Sequence, residues 1–369
     1  MIRDHRILFL SPFSSWPLLN GSIVRSHYLA KYLAVSNTIW FAHRENSIPY
    51  PKKLAYTSFP ATSNRLDQIF NLSIFIRYIK LIWEQGIDTI LISHLWSGLY
   101  GILLKAFTGK QLVFDNHNVE VLRFRSSGNS IFPAIGIFEW LVCRAADQIW
   151  CVSTADKTKL MERYHLQEQK LQVVPNGAEV GELQQYAVDR KQIRTEIGIH
   201  LDEVLILFYG QLSYAPNRQA IGVIMEHLLP SLLAAGFAFK LVIAGQGGRE
   251  YQKASGIYDP HILFTGYLDD LVALIKSADL MIVPITSGSG TRIKIIETIA
   301  CGIPVISTTE GAEGLDRDAA GEMLTVCDGW ENFARQIITQ VISLTSAATP
   351  ERFYQIYDWK NIVESIRLD

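Results

Sequence analysis

The sequence predicts an α/β protein made of two Rossmann-like, doubly wound parallel-sheet domains. Three observations carry this. Short apolar runs alternate with longer helical patterns from one end to the other. The alternation stops at Val173-Val174-Pro175-Asn176-Gly177, a strong turn signal, and then restarts. The chain has 369 residues, too many for one compact core but suited to two domains of roughly 150–200 residues.

In the first half, the run Ile7 to Ser11 leads into a Pro/Ser/Asn/Gly loop and a helical pattern over Val24 to Val35. Strand-like Thr38 to Ala42 follows. Then come a helix over Leu72 to Gln85, the run Thr89 to Ser93, a helix over Gly98 to Phe107 and the run Gln111 to Asp115. A helix over Phe132 to Ala145 and the run Gln148 to Val152 complete this half. In the second half, strands are expected at Val204 to Tyr209, Lys240 to Ala244, His261 to Thr265, Leu280 to Pro284 and Pro304 to Ser307, with a helical pattern between each pair. The domains are accordingly placed at 1–175 and 176–345. Residues 346–369 carry Phe353, Ile356, Trp359, Ile362, Val363 and Ile366, one apolar face of a terminal helix.

Composition narrows the function classes. Apolar residues make up 49% and charged residues 19%, so the chain is globular. Thirty-four Lys and Arg against 36 Asp and Glu leave a net charge of −2, without the basic excess of a nucleic-acid binder. Cys143, Cys151, Cys301 and Cys327 form no CxxC pair, and each lies in an apolar run. They read as buried free thiols of a reducing compartment. The apolar core Ile7 to Leu10 is too short for a signal peptide, and no apolar stretch reaches the ~18 residues of a membrane span. The expected location is cytoplasmic, with contact at the inner face of the cytoplasmic membrane as a further expectation. No G-x-G-x-x-G follows the first strand, which argues against a dehydrogenase.

Open parallel sheets bind ligands beyond the carboxyl ends of their strands, so those loops are where chemistry belongs. The loop Ile285 to Arg292 carries Gly288, Ser289, Gly290 and Thr291 ahead of a helical pattern over Ile293 to Ala300. Small residues there let backbone N–H groups approach a diphosphate, and the helix N-terminus favours its charge. Arg292 and Lys294 fall in the first turn, where cations disfavour a helix unless an anion neutralises them. A plain Gly-rich strand-to-helix turn is the alternative. Glu297 could accept hydrogen bonds from a ribose diol, or pair with Lys294 at i,i+3.

SGSGTRIKIIETIACGIPVISTTEGAEGL resembles the nucleotide-binding signature of the family 4 retaining glycosyltransferases (glycosyltransferase group 1) of GT-B fold. The resemblance runs along nearly the whole chain. ILFLSPFSSWPLLNGSIVRSHYLAKYL is similar to the family's first strand, glycine loop and first helix, FDNHNVE to its histidine segment, and AADQIWCVST and VVPNGAEV to the end of its first domain and its hinge. LFYGQLSYAPNRQAI, LVIAGQGG and ILFTGYLDDLVALIKSADLMIVP resemble its second domain, and YDWKNIVESI its returning helix.

The resemblance implies two domains facing across a cleft and a hexosyl group transferred from a nucleoside-diphosphate sugar, with UDP-glucose or a similar UDP-hexose the best fit. Glu297 takes the ribose-holding position. The family's other acidic position falls on Ser289, so Ser289 with the amides of Gly290 and Thr291 would meet the sugar or phosphate. The family's Arg after the first strand of the second domain is replaced by Gln211, and its Lys falls near Pro216 or Asn217. Arg292 and Lys294 are therefore expected to supply the positive charge. Gly266, Tyr267 and Leu268 fall where the family reads the base, with Tyr267 either stacking on it or sitting at the rim. Gly21 lies in the loop that faces the diphosphate. His117 matches the histidine near the reacting sugar, with a role of steadying charge; a histidine satisfied by its Asp and Asn neighbours is the competing reading.

Arg25, Glu120 and Arg123 are placed on the acceptor side, the acceptor being lipid-linked or an oligosaccharide of cell-surface polysaccharide synthesis. The mix of Arg123, Arg125, Phe124, Ile131, Phe132, Phe138 and Trp140 suits a peripheral membrane contact. It also suits an amphipathic helix packed on its own domain. No cofactor or metal is expected, and Asp316-Arg317-Asp318 reads as a chance D-x-D match in a surface turn. The rival functions are a nucleotide-sugar epimerase and a nucleotide-sugar-binding protein that has lost catalysis.

Overall fold

The computed structural model describes residues 4–18, 20–45, 54–62, 67, 69–126, 128–288, 290–343 and 348–368. They form two compact units, Met1–Asn176 with Trp359–Asp369, and Gly177–Asp358.

The first unit holds seven strands: β1 (Arg6–Ser14), β2 (Thr38–Arg44), β3 (Thr57–Thr62), β4 (Thr89–Ser93), β5 (Gln111–Asn116), β6 (Gln148–Cys151) and β7 (Leu171–Val173). They pair in parallel in the order β3-β2-β1-β4-β5-β6-β7. Alternation along β1 sends Ile7 and Phe9 to one face and Leu8 and Leu10 to the other, and both faces are buried. The first face packs against the helices Gly21–Leu33 and Trp359–Glu364. The second carries Leu72–Glu84, Gly98–Thr108, Phe132–Ala145 and Thr154–Tyr164.

The second unit holds β8 (Val204–Tyr209), β9 (Phe239–Ala244), β10 (Ile262–Gly266), β11 (Leu280–Val283), β12 (Val305–Ser307) and β13 (Leu324–Val326), parallel in the order β10-β9-β8-β11-β12-β13. In both sheets the order reverses beside the first strand, at β1/β4 and at β8/β11. Ligands of this architecture bind at such switch points.

The terminal segment differs from expectation. It is not one helix but two, Glu351–Tyr357 and Trp359–Glu364, broken at an extended Asp358. Ala178 N donates to Tyr357 O at 2.8 Å, and Ala178 bridges to Asp358. Phe353 and Tyr357 therefore join the core of the second unit, while Trp359 and Ile362 join that of the first. Trp359 is fully buried and stacks on Tyr28 at 5.7 Å. Asp316 of the D-x-D string caps the short helix Arg317–Ala320, its Oδ1 accepting from Ala319 N at 2.9 Å. All four cysteines are free, and Cys301 is only half-buried.

Candidate functional site

In the second unit, the loop after β11 and the helix Ile293–Ala300 place the residues that the sequence singled out. Arg292 is the N-cap residue, and no acidic residue lies in the first turn. Its guanidinium is buried and donates to Gly290 O at 3.0 Å and to Ser287 O at 3.2 Å, so it braces the loop from within. Gly288 and Gly290 take φ of 102° and 84°, which side chains disfavour. A Cβ on Gly288 would lie 2.8 Å from Tyr214 Oη. Thr291 is buried and its hydroxyl finds no hydrogen-bond partner among the described residues. Ser289 lies outside the described residues.

Lys294 reaches back to the end of β8. Its ammonium donates to Tyr209 O at 2.8 Å and to Asn217 Oδ1 at 3.0 Å, and sits 4.9 Å over the Phe208 ring. Glu297, one turn later, faces the Tyr209 hydroxyl at 3.2 Å, a hydroxyl also 3.0 Å from Lys294 O. The i,i+3 ion pair weighed from the sequence does not form: Lys294 and Glu297 each have other partners. Burial lowers the Lys294 ammonium from 10.5 to about 7, helped by the Arg292 charge. Burial likewise raises the Glu297 carboxyl to about 7, against the Tyr209 hydrogen bond. Two groups of opposite charge are thus desolvated one turn apart without neutralising each other. Perturbation of this kind concentrates where ligands bind.

Neighbouring loops approach this helix closely. A Cβ on Gly245 would come 2.1 Å from Gly210 O, so the loops after β8 and β9 run together at bare backbone. Gln211 is half-buried, and its carbonyl accepts from Asn217 Nδ2 at 2.8 Å. After β10, Gly266 has φ 74° and lies beside Arg249, whose Nε donates to Thr265 O at 3.2 Å. Tyr267 is 55% exposed, with Leu268 half-buried next to it.

The first unit gathers a polar cluster at the carboxyl ends of β4 and β5. Asp115 is fully buried. Arg25 Nε lies 3.0 and 3.1 Å from its two oxygens, and an Arg25 terminal nitrogen lies 2.6 Å from Oδ1. The other terminal nitrogen donates to Pro175 O at 3.0 Å and Asn176 Oδ1 at 3.1 Å. His117 Nε2 lies 2.9 Å from Asp115 Oδ2 and 2.8 Å from Ser93 Oγ, and Ser93 Oγ is 2.7 Å from Ser26 Oγ. Burial tends to raise the Asp115 carboxyl, but Arg25 and His117 outweigh it and hold it at about 2. Burial lowers the His117 imidazole despite the adjacent carboxylate; a carboxylate only accepts, so Nε2 is the ring nitrogen that donates to Asp115.

The acceptor-side expectations change here. Arg25 is 1% exposed and its guanidinium is spent inside the unit, so it positions Asp115 rather than meeting an acceptor. Glu120 is 2% exposed; its Oε1 lies 3.4 Å from His94 Nε2 and its Oε2 2.9 Å from Arg123 Nε. Arg123 is half-buried against it. Glu139, buried beneath, accepts from Glu120 N at 2.7 Å and Tyr164 Oη at 2.6 Å. Gly21 is exposed at the start of its helix, capped by Asn20 Oδ1 accepting from Ile23 N at 3.1 Å. The His117 ring is held by Asp115 and Ser93, not by an Asn neighbour, and it stands at a strand end.

The sequence reading missed Ser93, His94 and Asn116. His94 has φ 70° and ψ 152°, a backbone a non-glycine residue adopts at a cost on the order of 1–3 kcal/mol. Its ring stands edge-on to Phe13 at 5.3 Å and to His117 at 5.6 Å. The Asn116 amide is buried without a hydrogen-bond partner among the described residues. The same strand-end rule that pointed to His117 would have pointed to Ser93-His94, which follow β4.

Known proteins identify the family and the fold. A family model described as Glycosyltransferase Family 4 matches residues 19–182, and one described as Glycosyl transferases group 1 matches residues 203–341. An uncharacterized glycosyltransferase of Methanocaldococcus jannaschii is 29% identical over 228 residues, which is 59% of this chain and 57% of that protein. The O-antigen biosynthesis glycosyltransferase WbnH of Escherichia coli is 23% identical over 286 residues, covering 74% of this chain and 77% of WbnH. Among solved structures, Anabaena HepE, crystallised with UDP, aligns over 97% of both chains with TM-score 0.72 and 17% identity. Sucrose-phosphate synthase from Thermosynechococcus elongatus aligns over 98% of this chain and 97% of its own with TM-score 0.74 and 16% identity. Likeness at that identity establishes the fold, which is GT-B. With the two family models matching one unit each, the chain belongs to the family 4, group 1 glycosyltransferases.

Proposed function

We propose that this glycosyltransferase moves a hexosyl group from a UDP-hexose, such as UDP-glucose, to a hydroxyl of a lipid-linked or oligosaccharide acceptor, with retention of configuration and without a metal. The observation that carries the donor half is the Lys294–Glu297 arrangement: a cation and a carboxyl, both desolvated, one turn apart and not paired with each other. A diphosphate satisfies the first and a ribose diol the second. HepE, a protein of the same fold, has been crystallised with UDP-glucose, and WbnH is an O-antigen enzyme. These support a uridine donor and a cell-surface polysaccharide product; the reading places the reaction on the cytoplasmic side, with peripheral contact at the membrane.

Lys294, with Arg292 behind it, stabilises the departing diphosphate. Such a charge is worth several kcal/mol in a site that excludes water. Thr291 offers a hydroxyl with no partner among the described residues, and Ser289 with the amides of Gly290 and Thr291 would meet the sugar or phosphate. Gly266, Tyr267 and Leu268 meet the base, and Gly21 and Gln211 the donor. No carboxylate is assigned as nucleophile. The leaving oxygen takes the acceptor proton on the same face as bond breaking, while neutral His117, fixed by Asp115 and Ser93, steadies the sugar.

Thermal stabilisation by a panel of nucleotides and nucleotide sugars tests this, because a ligand that binds the folded state raises its stability by mass action. UDP-sugars are expected to stabilise the protein, and less so in Lys294→Ala and Arg292→Ala. Unchanged affinity in both variants would overturn the assignment of these cations. Gln211 and Ser289, where the family carries charge, support a second reading as a binding protein without transfer. Donor turnover that disappears in His117→Ala excludes it.

A further inference from the structure

We propose that the outer face of the helices Leu72–Glu84, Gly98–Thr108 and Phe132–Ala145 docks onto an anionic lipid bilayer. The proposal rests on the reading of the chain as a peripheral membrane enzyme, but on no part of the donor chemistry.

The first of these helices has two apolar faces. Ile74, Phe75, Tyr78 and Ile82 are buried in the core of the first unit. Leu72, Ile76 and Trp83 lie on the opposite side, 62%, 56% and 61% exposed. At 100° per residue these three fall within about 40° of one another, so they form a stripe. The fold uses only the first face. The neighbouring helices repeat the pattern. Phe107 is 68% exposed and stands edge-on to Phe75 at 5.6 Å, and Ile137 and Trp140 point outward at 63% and 43%. An apolar stripe on three adjacent helices of one unit exceeds the scattered exposure normal for a monomer.

Charge selects the partner. The three helices carry Arg77, Lys80 and Arg144, with Lys105 ion-paired to Asp147 just beyond the third helix at 2.5 Å; the one exposed acid within them is Glu84, which Lys80 holds at 3.5 Å. Lys110 lies 5.5 Å over the Trp83 ring, and Arg77 lies 4.9 Å over Phe59. This basic surround sits on a protein whose net charge is −2. Tryptophan among lysine and arginine suits the headgroup layer, where rings enter the acyl boundary and cations meet lipid phosphates. A second copy of the chain would bring the same cations face to face in a two-fold contact.

The test is co-sedimentation with vesicles of pure phosphatidylcholine and of mixed phosphatidylcholine and phosphatidylglycerol, alongside donor-induced thermal stabilisation. The protein should bind the mixed vesicles, weakly or not at all the neutral ones, and less as salt rises. Trp83→Ser with Phe107→Ser should weaken vesicle binding by about tenfold or more, and Arg77→Glu with Lys80→Glu by a similar factor. Both pairs should keep the wild-type melting temperature and the full response to donor. Brominated acyl chains should quench the wild type more than Trp83→Phe. Failure to bind mixed vesicles, binding unchanged in both variant pairs, or a dimer that dissolves in Trp83→Ser with Phe107→Ser would overturn the proposal. Loss of the donor response in the wild type, with vesicle binding intact, would count against the donor reading alone.

Discussion

Replacing Glu297 by Gln should make the protein more stable at alkaline pH while weakening its hold on a nucleotide sugar. The Glu297 carboxyl stands at about 7 in the folded state against an ordinary 4.5. The difference, 7 − 4.5, is about 2.5 pH units, which at ~1.36 kcal/mol each caps the effect near 3 kcal/mol. Glu297 is only half-buried, so solvent screening brings this towards 1–2 kcal/mol. The sign follows from proton binding. Between pH 4.5 and 7 the folded state binds more protons than the unfolded chain, so this group's contribution is fully present below 4.5 and is lost as pH rises through about 7. Gln cannot titrate. The variant should match the wild type near pH 5 and exceed it at pH 8. At about 2–4 °C per kcal/mol for a unit of this size, the gain is roughly 2–8 °C in melting temperature. Calorimetric melting across that pH range measures the first half, and titration with UDP-glucose at pH 8 the second. A gain that does not change with pH, or a variant that binds the donor as tightly as the wild type, would refute the reasoning.

Other outcomes follow from the first unit. Arg25→Met leaves the fully buried Asp115 carboxylate without its cation and should cost about 3–5 kcal/mol; adding Asp115→Asn should recover most of the loss, and independent effects in that double-mutant cycle would contradict the pairing. Since Asp115 is held at about 2 against an ordinary 3.8, its contribution is present above 3.8 and disappears as pH falls through about 2, so acid unfolding followed by circular dichroism should begin at higher pH in Arg25→Met. Trp359→Ala removes a fully buried ring and should cost about 3–5 kcal/mol in urea unfolding, whereas truncation after Glu364 should cost far less. His117→Ala should keep donor affinity but lower turnover about 100-fold; equal loss of both would make His117 a structural residue.

Much of the fold is written in runs long enough to carry a pattern. Thr89 to Ser93, Val204 to Tyr209, and the helices Phe132 to Ala145 and Ile293 to Ala300 were readable to the residue. Strands β7 and β13, three residues each, are too short to show alternation, and β3 contains Pro60, tolerated because β3 pairs on one side only. The break at Asp358 depends on Ala178, far away in sequence, so local periodicity ran straight through it. The site divides in the same way. His117 and Glu297 could be found because a strand-end rule and a motif both point at them. The Lys294–Glu297 relation could not, because spacing alone predicts an ion pair, and only Tyr209 and Asn217, brought in by β8 and the helix after it, redirect the two side chains. For the helix Leu72–Glu84, only the packing shows which apolar side is left bare.

Real-time proton NMR of UDP-glucose turned over by the enzyme, with water as the acceptor, tests the central claim most directly. The account predicts slow release of UDP with α-glucose as the first-formed sugar, at a rate that falls in both His117→Ala and Lys294→Ala. Release of β-glucose first would contradict retention. Binding of nucleotide sugars without any turnover, across donors and acceptors, would contradict transfer itself.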